Sequence, residues 1–234
     1  MTALLGLAAR LRLARLCLCT DSRGRQGDLA EFLAAAYAGG VDIVVIQGHP
    51  VQIRQPDLAP EAELAALETA RRVAPPYDGL VGVHGSPVLA ARSRTDILHL
   101  EPTGGPADQA RRSLSTYALV GRSTRLPVQV DQAVADPAVD YLWVPAEPDL
   151  VRYAAAVAPV QEVTAKPWFA GGRITAATLD PVLAAGARRI VVGRAITEAD
   201  DPQSVAGVLS ARLAEAWRAD PALAGYALRA AAFG

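Results

Sequence analysis

The chain has 234 residues, of which 51% are hydrophobic, 20% charged and 5% aromatic, and its formal net charge is −1. That balance excludes a disordered chain, and it gives no basis for binding nucleic acid, an anionic membrane surface or another polyanion. The length is close to the ~250 residues of one complete eight-fold α/β barrel.

From Met1 to Arg15 the sequence is apolar, with Arg10, Arg12 and Arg15 spread through it. A secretory signal puts its charge before its apolar run, so this order does not fit one. No apolar run approaches the ~20 residues of a membrane helix. Cys17 and Cys19 lie two apart in Leu16-Cys17-Leu18-Cys19 and face the same way in a strand. That spacing suits small core residues of a reduced compartment rather than a disulfide or a metal site. A cytoplasmic protein that neither crosses a membrane nor binds nucleic acid is expected.

Beyond this start, short β-rich runs alternate with alanine-rich amphipathic stretches. Strands are predicted near 16–20, 41–47, 79–83, 96–100, 117–121, 139–144, 166–170 and 189–193. Helices are predicted near 28–38, 61–74, 87–93, 107–114, 128–136, 149–157, 176–185 and 203–218. Gly39-Gly40 and Gly186 stand where helices end, and Asp201-Pro202 reads as an N-cap followed by a first helical proline. Pro221 in the alanine-rich tail allows a short extra helix. Strand–helix pairs repeated in this way predict an α/β fold, a (β/α)8 TIM barrel with a closed parallel eight-stranded sheet inside outer helices. One domain is expected over 1–234, with its core at about 16–218. The turn after the first strand, Thr20-Asp21-Ser22-Arg23-Gly24, lacks the G-x-G-x-x-G of a doubly wound dinucleotide fold.

Chemistry in such barrels sits at the carboxyl ends of the strands. The residues to inspect there are Thr20-Asp21, Gln47-Gly48-His49, His84-Gly85-Ser86, His99-Leu100-Glu101, Ser123-Thr124, Pro145-Ala146-Glu147, Gly171-Gly172-Arg173 and Gly193-Arg194. Glycine-rich turns with arginine at the last two strands present free backbone N–H groups and positive charge to an anion. Gln47, Ser123, Thr124, Gly171, Gly172, Arg173, Gly193 and Arg194 are therefore the candidate phosphate and substrate contacts. His49 and His84, whose imidazoles titrate near neutrality, are the candidate acid–base groups. His99 lies inside a strand and is expected to be a packed barrel residue.

Several segments resemble the thiamine phosphate synthase and thiazole tautomerase (TenI-like) family, in the family's order from about Leu16 to Trp217. They are Leu16-Cys17-Leu18-Cys19-Thr20-Asp21, Gly39-Gly40-Val41-Asp42-Ile43, Asp96-Ile97-Leu98-His99-Leu100, Gly121-Arg122-Ser123-Thr124, Asp140-Tyr141, Lys166-Pro167-Trp168-Phe169-Ala170-Gly171-Gly172 and Ala185 to Val192. The resemblance implies an enzyme that joins hydroxymethylpyrimidine diphosphate to thiazole phosphate with magnesium and releases pyrophosphate. Its partner is a phosphorylated small molecule, and family members often form homo-oligomers.

Departures from the family pattern fall on the diphosphate half. The family's Gln-x-Arg-x-Lys columns read Val45, Gln47 and His49; its Asn-Asp-Arg columns read His84, Gly85 and Ser86. Gly104 stands in a further metal-binding Asp column, Arg173 stands in a glycine column, and the Thr-Pro-Thr-Lys loop has no counterpart after Pro145-Ala146-Glu147-Pro148. The tautomerases' histidine also fails to match, since Pro145-Ala146 stands there. No magnesium or other cofactor is expected, and Glu101, Glu147, Asp149 and Arg54 are the substitutes within reach.

Each lost donor to a departing diphosphate costs roughly 3–4 kcal/mol of barrier. Together the losses amount to on the order of 10⁵ or more in rate. The expectation is a barrel that binds a phosphorylated molecule of thiamine metabolism with synthase activity impaired or lost. A functional synthase and a non-catalytic interaction or regulatory protein are the alternatives.

Overall fold

The computed structural model describes residues 5–47 and 60–232. Eight parallel strands close on themselves in chain order: β1 (Leu16–Thr20), β2 (Ile43–Gln47), β3 (Leu80–His84), β4 (Ile97–Leu100), β5 (Leu119–Ser123), β6 (Tyr141–Pro145), β7 (Trp168–Gly171) and β8 (Ile190–Val192). Closure is made at β1, where Cys17 sits opposite Ile43 on one side and Val191 on the other. The predicted TIM barrel is the observed fold.

Helices α2 (Leu29–Ala38), α3 (Pro60–Val73), α4 (Pro87–Ser93), α5 (Ala107–Arg111), α6 (Pro127–Ala135), α7 (Pro148–Val157), α8 (Leu179–Ala184) and α10 (Pro202–Ala219) follow the strands in turn. Helix α1 (Leu7–Leu13) precedes β1, α9 (Arg194–Thr197) lies between β8 and α10, and α11 (Tyr226–Ala232) ends the described chain. Among the described residues no helix is long and apolar enough to cross a membrane.

The strands are apolar on both faces because both are covered. Outward residues such as Leu18, Val44, Val83, Leu98, Val120 and Leu142 are buried beneath the helices. Inward residues Cys17, Ile43, Val45, Leu80, Ile97, Leu119, Tyr141, Phe169 and Val191 fill the barrel with one another. Leu11 and Ala14 at the end of α1 join this inner cluster. Alternation along each strand then brings Cys19, Gln47, His84, Ser123 and Trp143 to the inward side two or four residues later, at the carboxyl mouth.

Helix ends follow the predicted chemistry. The Asp201 carboxylate accepts a hydrogen bond from the Ser204 N–H at 3.0 Å, with Pro202 opening α10. Gly40 at φ +97° and Gly186 at φ +109° take the left-handed conformation just past α2 and α8. Helix α8 begins at Leu179 rather than 176, because the Thr178 hydroxyl accepts the Thr175 N–H and makes a turn there instead. Helix α5 stops at Arg111, short of 114. Most strands begin one or two residues later than expected. Val139, for instance, is buried but donates its N–H to Asp136 in a turn before β6.

Three aspartates fasten the amino-terminal ends of the strands. Asp42 Oδ2, just before β2, accepts the N–H groups of Arg15 at 2.7 Å and Leu16 at 2.9 Å. Asp96 Oδ2, before β4, accepts Val81 N–H at 2.9 Å, and Asp140 Oδ2, before β6, accepts Val120 N–H at 2.7 Å. β2, β4 and β6 thus each grip the start of the preceding strand through a side chain. Arg111 pairs with Asp140 from the outside. Burial pushes the Asp42 carboxyl upward, while its two backbone N–H partners pull it down.

Replacing Asp42 with Ala leaves two backbone donors without an acceptor and is expected to lower unfolding free energy by about 2–4 kcal/mol. Asp42→Asn keeps an acceptor oxygen, removes the buried charge and is expected to cost about 1 kcal/mol or less. Urea denaturation of the two variants checks the difference, and equal losses would remove the role given to that oxygen.

Candidate active site

A cavity of about 340 Å³ opens at the carboxyl mouth. Its wall includes Cys19 of β1, Glu101 and Pro102 after β4, Ser123, Thr124 and Arg125 at the end of β5, Trp143 and Pro145 of β6, Gly171 and Gly172 after β7, and Gly193 after β8. The glycines are there for backbone approach. A Cβ on Gly171 would lie 2.6 Å from the Val191 side chain, and Gly172 adopts φ +152°, which L side chains rarely take. A second cavity of about 300 Å³ lies beside the first, sharing Glu101 and lined also by Gly85, Leu100, Gly104, Gly105 and Gln109. A Cβ on Gly85 would meet open space, whereas one on Gly104 would lie 3.1 Å from the Glu101 carbonyl oxygen.

Trp143, on the wall of the larger cavity, belongs to a stack of flat rings. His84 and His99 stack with centroids 5.3 Å apart, and His99 stacks on Trp143 at 3.5 Å. His99 Nδ1 lies 2.9 Å from the Tyr141 hydroxyl, and Nε2 lies 2.8 Å from the Ser123 hydroxyl. Gly121 makes room for this group, since a Cβ there would sit 2.2 Å from the Tyr141 ring and 2.6 Å from His99 Nδ1. His84 Nδ1 is 3.4 Å from a Glu101 carboxylate oxygen at the edge of the mouth.

Electrostatics at the mouth follow from burial. His99 is fully buried, and desolvation, with the neighbouring His84 and Arg122, pushes its pKa well below 6.5. Desolvation also lowers His84, opposed by Glu101. Cys19 is pushed up to about 12 by burial and Glu101, which rules out a thiolate nucleophile near neutrality. Its thiol donates to Gln47 Oε1 at 3.2 Å.

The predicted site residues divide accordingly. Ser123, Thr124, Gly171, Gly172 and Gly193 come together on one wall of the larger cavity. The Thr124 hydroxyl is spent on the Trp143 carbonyl at 3.0 Å. Gln47 holds Cys19 and is not among the cavity's lining residues, and Arg173 and Arg194 are exposed beside the cavity rather than lining it. Val45 is buried inside the barrel and His49 lies outside the described residues. Arg125, Trp143 and the Tyr141–His99 pair were not anticipated. Arg122 is committed to the β4 loop, donating to the carbonyls of Glu101, Gly104 and Gly105 at 2.8–3.0 Å.

Magnesium binds hard oxygen ligands in near-octahedral geometry. Among the described residues no three His, Cys, Asp or Glu side chains gather into a metal site. At the mouth Glu101 stands beside a histidine. That donor set does not fit a protein-built magnesium cage.

Sequence and fold comparisons bear on this mouth. Residues 16–196 match the family model described as thiamine monophosphate synthase. A protein of Thermobifida fusca named thiamine-phosphate synthase is 44% identical over 220 residues, covering 90% of this chain and 97% of its own length. One of the same name from Mycobacterium tuberculosis is 44% identical over 223 residues, covering 89% and 98%. In fold, thiamine phosphate pyrophosphorylase from Pyrococcus furiosus superposes with a TM-score of 0.73 at 20% identity, covering 88% of this chain and 98% of its own.

The relatives correct the expectation of impaired or lost synthase activity. Proteins sharing 44% of residues across nearly the whole chain carry the synthase name, which favours a functional synthase. The lost donors are those of the family's cationic and carboxylate columns; Arg125 and the backbone amides of the glycine turns remain at the mouth.

His84 and His99 are held neutral in the fold but are free to protonate near pH 6.5 once unfolded. Below that pH the unfolded state takes up protons that the folded state does not, so stability is full above about pH 6.5 and is lost on acidification. His84→Gln removes one of these groups and is expected to give a shallower loss of unfolding free energy between about pH 7 and pH 5. An unchanged slope in chemical denaturation at several pH values would contradict the neutral assignment of His84.

Proposed function

The chain belongs to the thiamine monophosphate synthase family, and on that premise we propose that it is a working thiamine phosphate synthase. It joins hydroxymethylpyrimidine diphosphate to thiazole phosphate and releases pyrophosphate. The observation that carries the reading is the 340 Å³ cavity, whose lining brings the glycine turns at β7 and β8 together with Ser123 and Arg125. A monophosphate seated there meets backbone N–H groups, a hydroxyl and a guanidinium together.

In this reading the carbon–oxygen bond to the diphosphate breaks, its electron pair leaving on the diphosphate. A thiazole ring nitrogen supplies the pair for the new bond. Gly172, Gly193 and Ser123 hold the thiazole phosphate. Trp143 gives a flat wall against which a heteroaromatic ring can lie. Arg125, in the same lining, adds a guanidinium to the donors around that phosphate. Arg173 and Arg194, exposed on the same rim, add positive potential that draws anionic substrates in.

Pyrophosphate release by the purified protein, with both substrates and magnesium supplied, tests the proposal. Turnover dependent on both substrates is expected, and no release above an enzyme-free control contradicts it. Ser123→Ala and Arg125→Ala are each expected to lower kcat/KM by about 10- to 100-fold.

A further inference from the structure

We propose that Tyr141 and His99 form a hydrogen-bond relay that fixes the Ser123 hydroxyl as a donor pointing into the mouth cavity. This makes both of them positioning residues for the anionic oxygen of the substrate. The identity of that anion rests on the synthase reading; the relay itself does not.

The count of protons limits how the three groups can be arranged. Burial keeps the Tyr141 hydroxyl protonated and the His99 imidazole neutral. Three hydrogens, on Tyr141, on one His99 nitrogen and on Ser123, therefore serve two contacts: 2.9 Å at Nδ1 and 2.8 Å at Nε2. Two arrangements satisfy both contacts, and each leaves one hydrogen over. If Ser123 donates to Nε2, then Nδ1–H donates to Tyr141, and the tyrosine hydrogen is left without an acceptor. If Tyr141 donates to Nδ1, then Nε2–H donates to Ser123, and the serine hydrogen is the spare one.

Position decides between them. Tyr141 is fully buried, and among the described residues His99 is the hydrogen-bond partner of its hydroxyl. A stranded donor at that depth costs a full desolvation penalty. Ser123 lines the cavity, where its hydrogen can reach solvent or a ligand oxygen. The second arrangement is therefore the stable one. It leaves Ser123 with its acceptor side occupied and its donor side facing the ligand.

The surroundings hold this state in place. Trp143 covers the imidazole at 3.5 Å, and the bare Gly121 lets Tyr141 and His99 approach closely. A free serine hydroxyl would divide its time among rotamers and between donating and accepting. A locked one meets an anion already oriented, so less freedom is lost on binding.

Two measurements test the relay. Long-range proton–nitrogen NMR on the ¹⁵N-histidine-labelled wild-type protein reads the His99 tautomer directly. The Nε2–H form is expected, and the Nδ1–H form or an imidazolium at neutral pH overturns the proposal. Calorimetric binding of thiazole monophosphate then follows Ser123→Ala, Tyr141→Phe and the double variant.

Ser123→Ala is expected to weaken Kd about tenfold and Tyr141→Phe about three- to tenfold. Tyr141→Phe should add nothing in the Ser123→Ala background, because it acts through that hydroxyl. Full additivity overturns the relay, since a merely structural effect of Tyr141 would persist without Ser123. The two readings fail separately. An Nε2–H tautomer without pyrophosphate release removes the synthase reading alone, and an Nδ1–H tautomer in an active enzyme removes the relay alone.

Discussion

A closed parallel barrel works only if every strand keeps its stagger, and here the stagger is pinned at the amino-terminal end. Asp42, Asp96 and Asp140 each stand one residue before an even-numbered strand and take a backbone N–H from the start of the preceding strand. Because side chains alternate, a slip of one residue would exchange lumen for helix-facing positions along that strand. Ser123 would leave the mouth, and Tyr141 would no longer meet His99. The chemistry at one end of the barrel thus depends on carboxylates at the other.

What the mouth offers an anion is mostly uncharged. The imidazoles are kept neutral by burial, the thiol is protonated, and Arg122 is spent on the β4 loop. What remains is Arg125 at the rim, backbone amides at two glycine turns, and a serine hydroxyl with one free direction. Fixed dipoles of this kind cost no reorganisation when charge develops, which is why they can serve where a buried cation would demand its own counter-charge. Behind this wall His84, His99 and Trp143 form a ring stack, of which Trp143 lines the cavity.

Much of this architecture is legible in the sequence, for definable reasons. Alternating apolar strands and amphipathic helices give the barrel, and Gly40, Gly186 and Asp201 mark helix ends because their conformations or side chains are specific to those positions. Strand starts were read early because apolarity reports burial whereas pairing sets the boundary; Val139 is buried yet belongs to a turn. Helix α9, four residues long, is too short to carry a periodic signal. At the site, the place of Ser123, Gly171, Gly172 and Gly193 at the carboxyl mouth is legible from the strand ends on which they lie. The bond from His99 to Tyr141 spans 42 residues and depends on β4, β5 and β6 lying side by side, which no local pattern encodes. Arg173 and Arg194 were placed in the wall by adjacency to glycine, but the backbone at those turns carries them to the exposed rim.

We place the phosphate of the substrate at the wall between β5 and β8. A crystal structure of the protein soaked with thiazole monophosphate checks this. Phosphate oxygens are expected within hydrogen-bond distance of the Ser123 hydroxyl and of the backbone amides at Gly172 and Gly193. A phosphate seated instead against Gly85 and Gly104 in the neighbouring cavity, or nowhere at the mouth, would contradict it.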